Sequence, residues 1–209
     1  MLGHGAGGGI EAPDLQCLAQ RLPRRGVTVV LVEQPWRVAG RRVAVAPERL
    51  DEAFLAVCDQ QRPRTPLIVG GRSAGARVGC RTARTLGAVG VLALAFPLHP
   101  PGRTDRSRAD ELLGTGLPTL VVNGDRDPFG SPGELATLRS PRRRLVIVPG
   151  ADHAFGIRAR DGGAQARDAA LDAVVEVVSD WALETADARR WRPAVDECTD
   201  VTGGREHSP

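Results

Sequence analysis

Apolar residues in this chain gather into short unbroken runs at Val27 to Val32, Leu67 to Gly70, Val89 to Phe96, Thr119 to Val122 and Leu145 to Val148. A strand with one wet face alternates apolar and polar positions, and these runs do not. They therefore predict buried parallel strands in a sheet covered on both faces. The segments between them read as the covering helices: Pro13 to Arg24, Pro47 to Gln61, Ala74 to Leu86, Pro132 to Leu138 and Ala164 to Trp181. Strands alternating with helices in this way predict an α/β fold with a mostly parallel central sheet. Between Pro97 and Pro118 the pattern breaks into a proline-rich turn and a short polar helix around Arg106 to Leu113, an excursion that predicts the rim of a pocket. From about Ala186 the residues turn polar and lose periodicity, which divides the chain into a folded domain over 1–184 and a disordered tail over 185–209.

A chain of 209 residues accommodates one well-buried domain rather than two. With four phenylalanines and three tryptophans, its interior falls to alanine, valine and leucine. Every basic residue is an arginine, a bias that GC-rich coding explains without a functional reason. The net charge of +3 is small, and the arginines lie among acidic residues with no aromatics between them. Nucleic-acid binding asks for a concentrated basic face, so that class is excluded. No apolar stretch approaches the roughly 20 residues of a membrane span, and no basic segment leads into a hydrophobic one at the start. Cys17, Cys58, Cys80 and Cys198 lack paired close spacing, which predicts free thiols, a reducing compartment and a cytoplasmic location. Histidines and cysteines do not cluster at ligand spacing, so no metal or other cofactor is expected.

The run Leu67 to Gly70 leads into Gly71-Arg72-Ser73-Ala74-Gly75 and then into a helical segment. A serine on a sharp strand-to-helix turn takes strained backbone angles, and flanking glycines remove the Cβ atoms that would clash there. A serine hydroxyl needs a base to accept its proton as it attacks. His153 lies in the loop Pro149 to Phe155 after the last strand, at the sheet edge where Ser73 is presented and where ligands of open α/β sheets bind. An acid must orient that imidazole, and Asn123-Gly124-Asp125-Arg126-Asp127-Pro128 follows the fourth run at the same edge. Asp127 is the better candidate, because Pro128 biases it to a rigid extended backbone. Asp125 is left to cap the turn or pair with Arg126. Asp152 is a poor partner, since adjacent residues of an extended segment face opposite ways. For an oxyanion, the Ala74 amide supplies one donor, and the loop Gly3 to Gly9 supplies another through Ala6, with Gly7 second. His4 in that loop reads as a brace for the turn. Phe129, Phe155, Leu98 and Trp36 are candidate walls for a small-molecule substrate, together with the segment from His99 to Leu113.

Five segments taken together resemble the small α/β-hydrolase branch that includes bacterial dienelactone-hydrolase-like proteins and the animal testis-expressed and NSL-complex relatives. They are His4 to Gly8, Gly71 to Gly75, Phe96 to Gly102, Gly124 to Gly130 and Gly150 to His153, and the match spans about residues 3–183. The resemblance implies an α/β-hydrolase fold and a serine hydrolase with a Ser73, Asp127, His153 triad; it implies no substrate. In that family the glycine-rich loop follows a central strand with further strands before it, whereas here only Met1 and Leu2 precede Gly3. The family's sheet order puts that strand between Val27 to Val32 and Leu67 to Gly70. Its loss would leave buried backbone groups unpaired, at about 1–3 kcal/mol each. The expectation is a start lying upstream, or a truncated and poorly stable chain.

The leading function is hydrolysis of an ester, thioester or similar carbonyl through Ser73. The alternative is a non-catalytic binding or scaffold protein on the same fold. A nucleotide-binding role for Gly5 to Gly9 is weaker, because that loop lacks the Gly-Lys-Ser/Thr ending of a phosphate loop.

Overall fold

Leu2 and Gly3 form the first strand, β1, and they lie where the sequence predicted a gap. In the computed structural model, which describes residues 1–41 and 44–190, β1 (Leu2–Gly3) pairs in parallel with β2 (Leu31–Val32) on one side and β3 (Ile68–Arg72) on the other. The Gly70 amide also donates to the Met1 carbonyl, and the Leu2 amide to the Val30 carbonyl. The expected row of unpaired backbone groups is therefore absent from this part of the sheet. β4 (Gly90–Leu94), β5 (Thr119–Gly124) and β6 (Arg143–Val148) complete six parallel strands in the order β2-β1-β3-β4-β5-β6. The run Val27 to Val32 yields only two paired residues in β2, because its neighbour β1 is itself two residues long.

Among the described residues seven α-helices cover this sheet: α1 (Pro13–Arg21), α2 (Pro35–Val38), α3 (Pro47–Gln61), α4 (Ala74–Thr82), α5 (Ala109–Leu113), α6 (Pro132–Thr137) and α7 (Gly163–Arg190). Proline stands in the first turn of α1, α2, α3 and α6. There its fixed φ suits the helix and its missing N–H is not needed. Side chains alternate across each strand. Leu92, Leu94, Leu120 and Val122 pack with Leu15 and Leu18 of α1 and with Leu171, Val174, Val175, Val178 and Trp181 of α7. Val69, Val91, Ala93 and Val121 pack on the opposite face with Phe54, Ala76, Val78, Leu112 and Leu135 from α3 to α6. Continuous apolar strands thus reflect two cores, one on each face.

The last helix runs past the predicted end at Trp181. Ala182 and Thr185 are buried, and a Cβ on Gly90 would lie 2.9 Å from Thr185 Cγ2, so α7 is still packed against the base of β4 there. The helix continues past position 184 to Arg190. The remainder of the predicted tail, with Cys198, lies outside the described residues. Cys17, Cys58 and Cys80 are free thiols, the last two buried. Among the described residues no helix is long and apolar enough to cross a membrane.

Candidate active site

β3 ends at Arg72 and α4 begins at Ala74, which leaves Ser73 alone to make the turn. Its backbone sits at φ 52°, ψ −109°, a region that a non-glycine residue enters only when its surroundings impose it. The imposition comes from β1, packed directly beneath the elbow. A Cβ on Gly71 would lie 2.0 Å from the Gly3 carbonyl oxygen, and one on Gly75 would lie 2.1 Å from the same atom. Glycine at both positions lets the strand and helix close on β1. The Gly75 amide then donates to the His4 carbonyl (3.1 Å), which fixes the glycine-rich loop beside the elbow.

His153 arrives from the loop after β6. Asp152 Oδ1 accepts from the Ala154 and Gly156 amides, both at 2.8 Å, so Asp152 shapes its own loop and faces away from the ring beside it. His153 Nε2 lies 2.9 Å from Ser73 Oγ, and Nδ1 lies 2.8 Å from Asp127 Oδ2. A carboxylate can only accept, so Nδ1 carries the proton and Nε2 is left to accept from the serine hydroxyl. Asp127 is 5 % exposed. Its Oδ1 accepts from the Phe129 amide (2.9 Å) and its Oδ2 from Asn123 Nδ2 (3.2 Å). Asn123 also holds both the amide and the carbonyl of Phe96 (2.9 and 3.2 Å), locking the ends of β4 and β5 together. Asp125 is exposed, and Arg126 pairs with Asp161 at 2.6 Å rather than with Asp125.

Arg72, the second residue of the pentapeptide, ties the two loops: its Nη2 donates to the His153 carbonyl at 2.8 Å. Its Nε lies 3.4 Å from Asp14 Oδ2. Asp14 is buried at the start of α1 and its carboxyl oxygens have no hydrogen-bond partner. Burial pushes the Asp14 carboxyl above the usual range, and the Arg72 guanidinium opposes that rise.

Ser73 and His153 open on a cleft of about 570 Å³. Ala6 and Ala74 both line it, and neither amide donates to a backbone carbonyl among the described residues. Phe129 forms one wall and meets the His153 ring edge-on, with centroids 4.6 Å apart. The family of the alpha/beta hydrolase domain matches residues 1–183. The chain belongs to the α/β-hydrolase family. No curated protein matches it. A solved α/β serine hydrolase without lid from Xanthomonas campestris is similar at 22 % identity, with 92 % of this chain and 82 % of that one covered and a TM-score of 0.59. Est1E from Butyrivibrio proteoclasticus is similar at 17 % identity, covering 88 % of this chain and 86 % of that one, with a TM-score of 0.66. Alpha/beta hydrolase domain-containing protein 10 from mouse gives 10 % identity, 87 % and 88 % coverage, and a TM-score of 0.61. At such identities these likenesses establish the fold of this α/β hydrolase.

Several predicted wall residues of the α/β hydrolase lie elsewhere. Leu98 is buried among Phe96, Leu112 and Leu135 beneath the cleft. Phe155 is packed between the sheet and α7, and Trp36 lies under α3. All three are large apolar side chains near strand ends, where burial in the core competes with exposure to substrate, and burial wins. His4 is fully buried and does brace its turn: it reaches the Gly5 carbonyl through Nδ1 (2.8 Å) and accepts from the Gln34 amide through Nε2 (2.9 Å). Pro97, Pro101 and Arg108 carry the predicted rim, while Arg72 and Arg77 line the floor beside Ser73. The two floor arginines went unread, although one is the second residue of the pentapeptide and the other follows Ser73 by one helical turn.

Proposed function

We propose that this protein is a serine hydrolase acting on an ester, thioester or similar carbonyl of a small molecule. The observation that carries the reading is the continuous hydrogen-bonded path from Ser73 through His153 to Asp127, open to a cleft at the serine end. Ser73 Oγ attacks the carbonyl carbon and its proton passes to His153 Nε2, giving a tetrahedral oxyanion. Asp127 holds the imidazole in the accepting tautomer and stabilises the imidazolium. The amides of Ala74 and Ala6 receive the oxyanion, which in this class of reaction is the largest electrostatic contribution. The leaving group departs with the proton from His153, and water, deprotonated by the same histidine, releases the acyl group as an acid. Phe129 sets one side of the substrate channel.

Within the family, the five sequence segments named above favour the dienelactone-hydrolase-like branch, with simple carboxylesterase activity as the broader description. The free thiols Cys17, Cys58 and Cys80 favour a cytoplasmic location. A fluorophosphonate probe tests the chemistry directly. Wild-type protein is expected to label at a single serine, and Ser73→Ala to abolish labelling while its circular dichroism stays unchanged. A folded wild-type protein that resists the probe would remove the hydrolase reading in favour of a binding protein on this fold.

A further inference from the structure

Among the described residues, the charged side chains lining the cleft are all cations: Arg72, Arg77 and Arg108. Two of them have carboxyl groups close by. Arg77 gives Nε and Nη2 to the two oxygens of Glu111 at 2.9 and 2.6 Å, and Arg72 lies against Asp14. Arg108 has no ion pair among the described residues, and its Nη1 reaches only the Pro97 carbonyl at 3.5 Å. Glu111 is shared by Arg77 and Arg81, and Asp51 is taken by Arg81 in a two-pronged pair at 2.8 and 2.7 Å. Among the described residues the four guanidinium groups of Arg72, Arg77, Arg81 and Arg108 therefore meet three carboxyl groups, those of Asp14, Glu111 and Asp51, and Arg108 is left without an ion pair at the cleft.

That charge sits in an unfavourable place. Arg108 is half-buried; desolvation first, then Arg77 and Arg81, act against its protonated form, while Glu111 favours it. An arginine nevertheless stays charged, and an anion arriving in the cleft would favour that charge. Its backbone is pinned for the purpose: its amide donates to the Leu98 carbonyl (2.8 Å), and its carbonyl accepts from the Glu111 amide (3.1 Å) at the start of α5. Ala6, Ala12, Pro13, Pro97, Pro101 and Phe129 give the cleft an apolar wall. We infer that the cleft selects carbonyl substrates carrying one carboxylate, held by Arg108 while an apolar spacer lies along the wall and the reacting carbonyl meets Ser73. One leftover cation matches a singly charged carboxylate, which the planar guanidinium fork can grip through two hydrogen bonds. The inference rests on the hydrolase reading above and specifies the substrate class of that same site.

Two esters separate the cases: p-nitrophenyl hydrogen adipate, with a free carboxylate, and its neutral counterpart p-nitrophenyl methyl adipate. Wild-type protein is expected to favour the acid in kcat/KM by about tenfold or more, the size of one charge-assisted hydrogen bond. The preference should shrink as salt is raised. Arg108→Gln should bring the ratio close to one, whereas Arg103→Gln, an exposed arginine paired with Asp105, should keep it. Equal rates for the two esters in a protein that fluorophosphonate still labels would overturn the carboxylate assignment alone. An Arg108→Gln protein that keeps the wild-type ratio would do the same. Loss of labelling in the wild type would remove the hydrolase reading, and this inference with it.

Discussion

Ser73 occupies a backbone region that costs a residue of its kind about 1–3 kcal/mol, and the contacts that hold it there are named atoms of β1. The clash that a methyl group on Gly75 would cause is with the Gly3 backbone, which has no flexible end to swing aside. Gly75→Ala is therefore expected to cost about 3 kcal/mol or more in urea unfolding and to reduce labelling of Ser73. Gly7→Ala, whose added methyl meets nothing within 4 Å, should leave stability unchanged. Asp127 sets a second requirement, because its Oδ2 accepts from both His153 and Asn123. In Asp127→Asn, with the Phe129 amide keeping the remaining oxygen, an NH2 group would face both of them. His153 would then accept at Nδ1, carry its proton on Nε2 and be unable to take the serine's. Ester hydrolysis is expected to fall by about 10⁴-fold at unchanged protein concentration and fold, measured on the neutral ester above. Ser73, Asp127 and His153 were legible because elbow, carboxylate loop and histidine loop each follow an apolar run directly. Asn123 and Arg72 were not, since their roles depend on which strand ends become neighbours, and no local pattern states that.

At the scale of elements, the excursion from Pro97 to Leu113 is fastened to the body by α6. Ser131 and Glu134 form a reciprocal cap on that helix, with the Ser131 hydroxyl accepting from the Glu134 amide and the Glu134 carboxylate accepting from the Ser131 amide. The same carboxylate lies 2.8 Å from His99 Nε2, while His99 Nδ1 reaches the Arg106 carbonyl. The Ser131 hydroxyl and amide, followed by His99, pull the Glu134 pKa down to about 2. A lowered carboxylate pKa favours the folded state above the unfolded value of 4.5, and that contribution is lost as pH falls toward 2. Ser131→Ala is expected to cost about 1 kcal/mol, a drop in thermal midpoint of about 2–4 °C, with the larger effect at neutral pH and a smaller one at pH 3. Elements with strong periodicity, such as α3, stood out in the chain at their observed limits. β1 did not, because two residues carry no period and a strand that short exists only through the neighbours that pair with it on both sides.

Across the whole molecule, the absence of lysine and tyrosine turns alkaline unfolding into a readout of thiols. With no amine or phenol side chains to titrate, and arginine charged throughout, the cysteines are the side chains that lose protons between pH 9 and about 12. Cys80, a residue of α4, is buried in the core; burial first, and Glu111 second, push its thiol from 9.0 to about 12. Burial raises Cys17 and Cys58 as well. In the unfolded chain the same thiols ionise near 9.0, so above that pH the unfolded state has released protons that the folded state still holds. The thiols' contribution to stability is then complete below pH 9 and declines as pH rises toward 12, with each fully buried thiol contributing a slope of about 1.4 kcal/mol per pH unit. The urea midpoint of the wild-type protein is expected to fall steadily from pH 9 to 10.5. Cys80→Ala should begin lower, through the lost packing, yet fall more gently over the same interval. A parallel pair of curves would mean that the Cys80 proton is released as readily in the folded core as in the unfolded chain, and that the face of the sheet under α4 admits water.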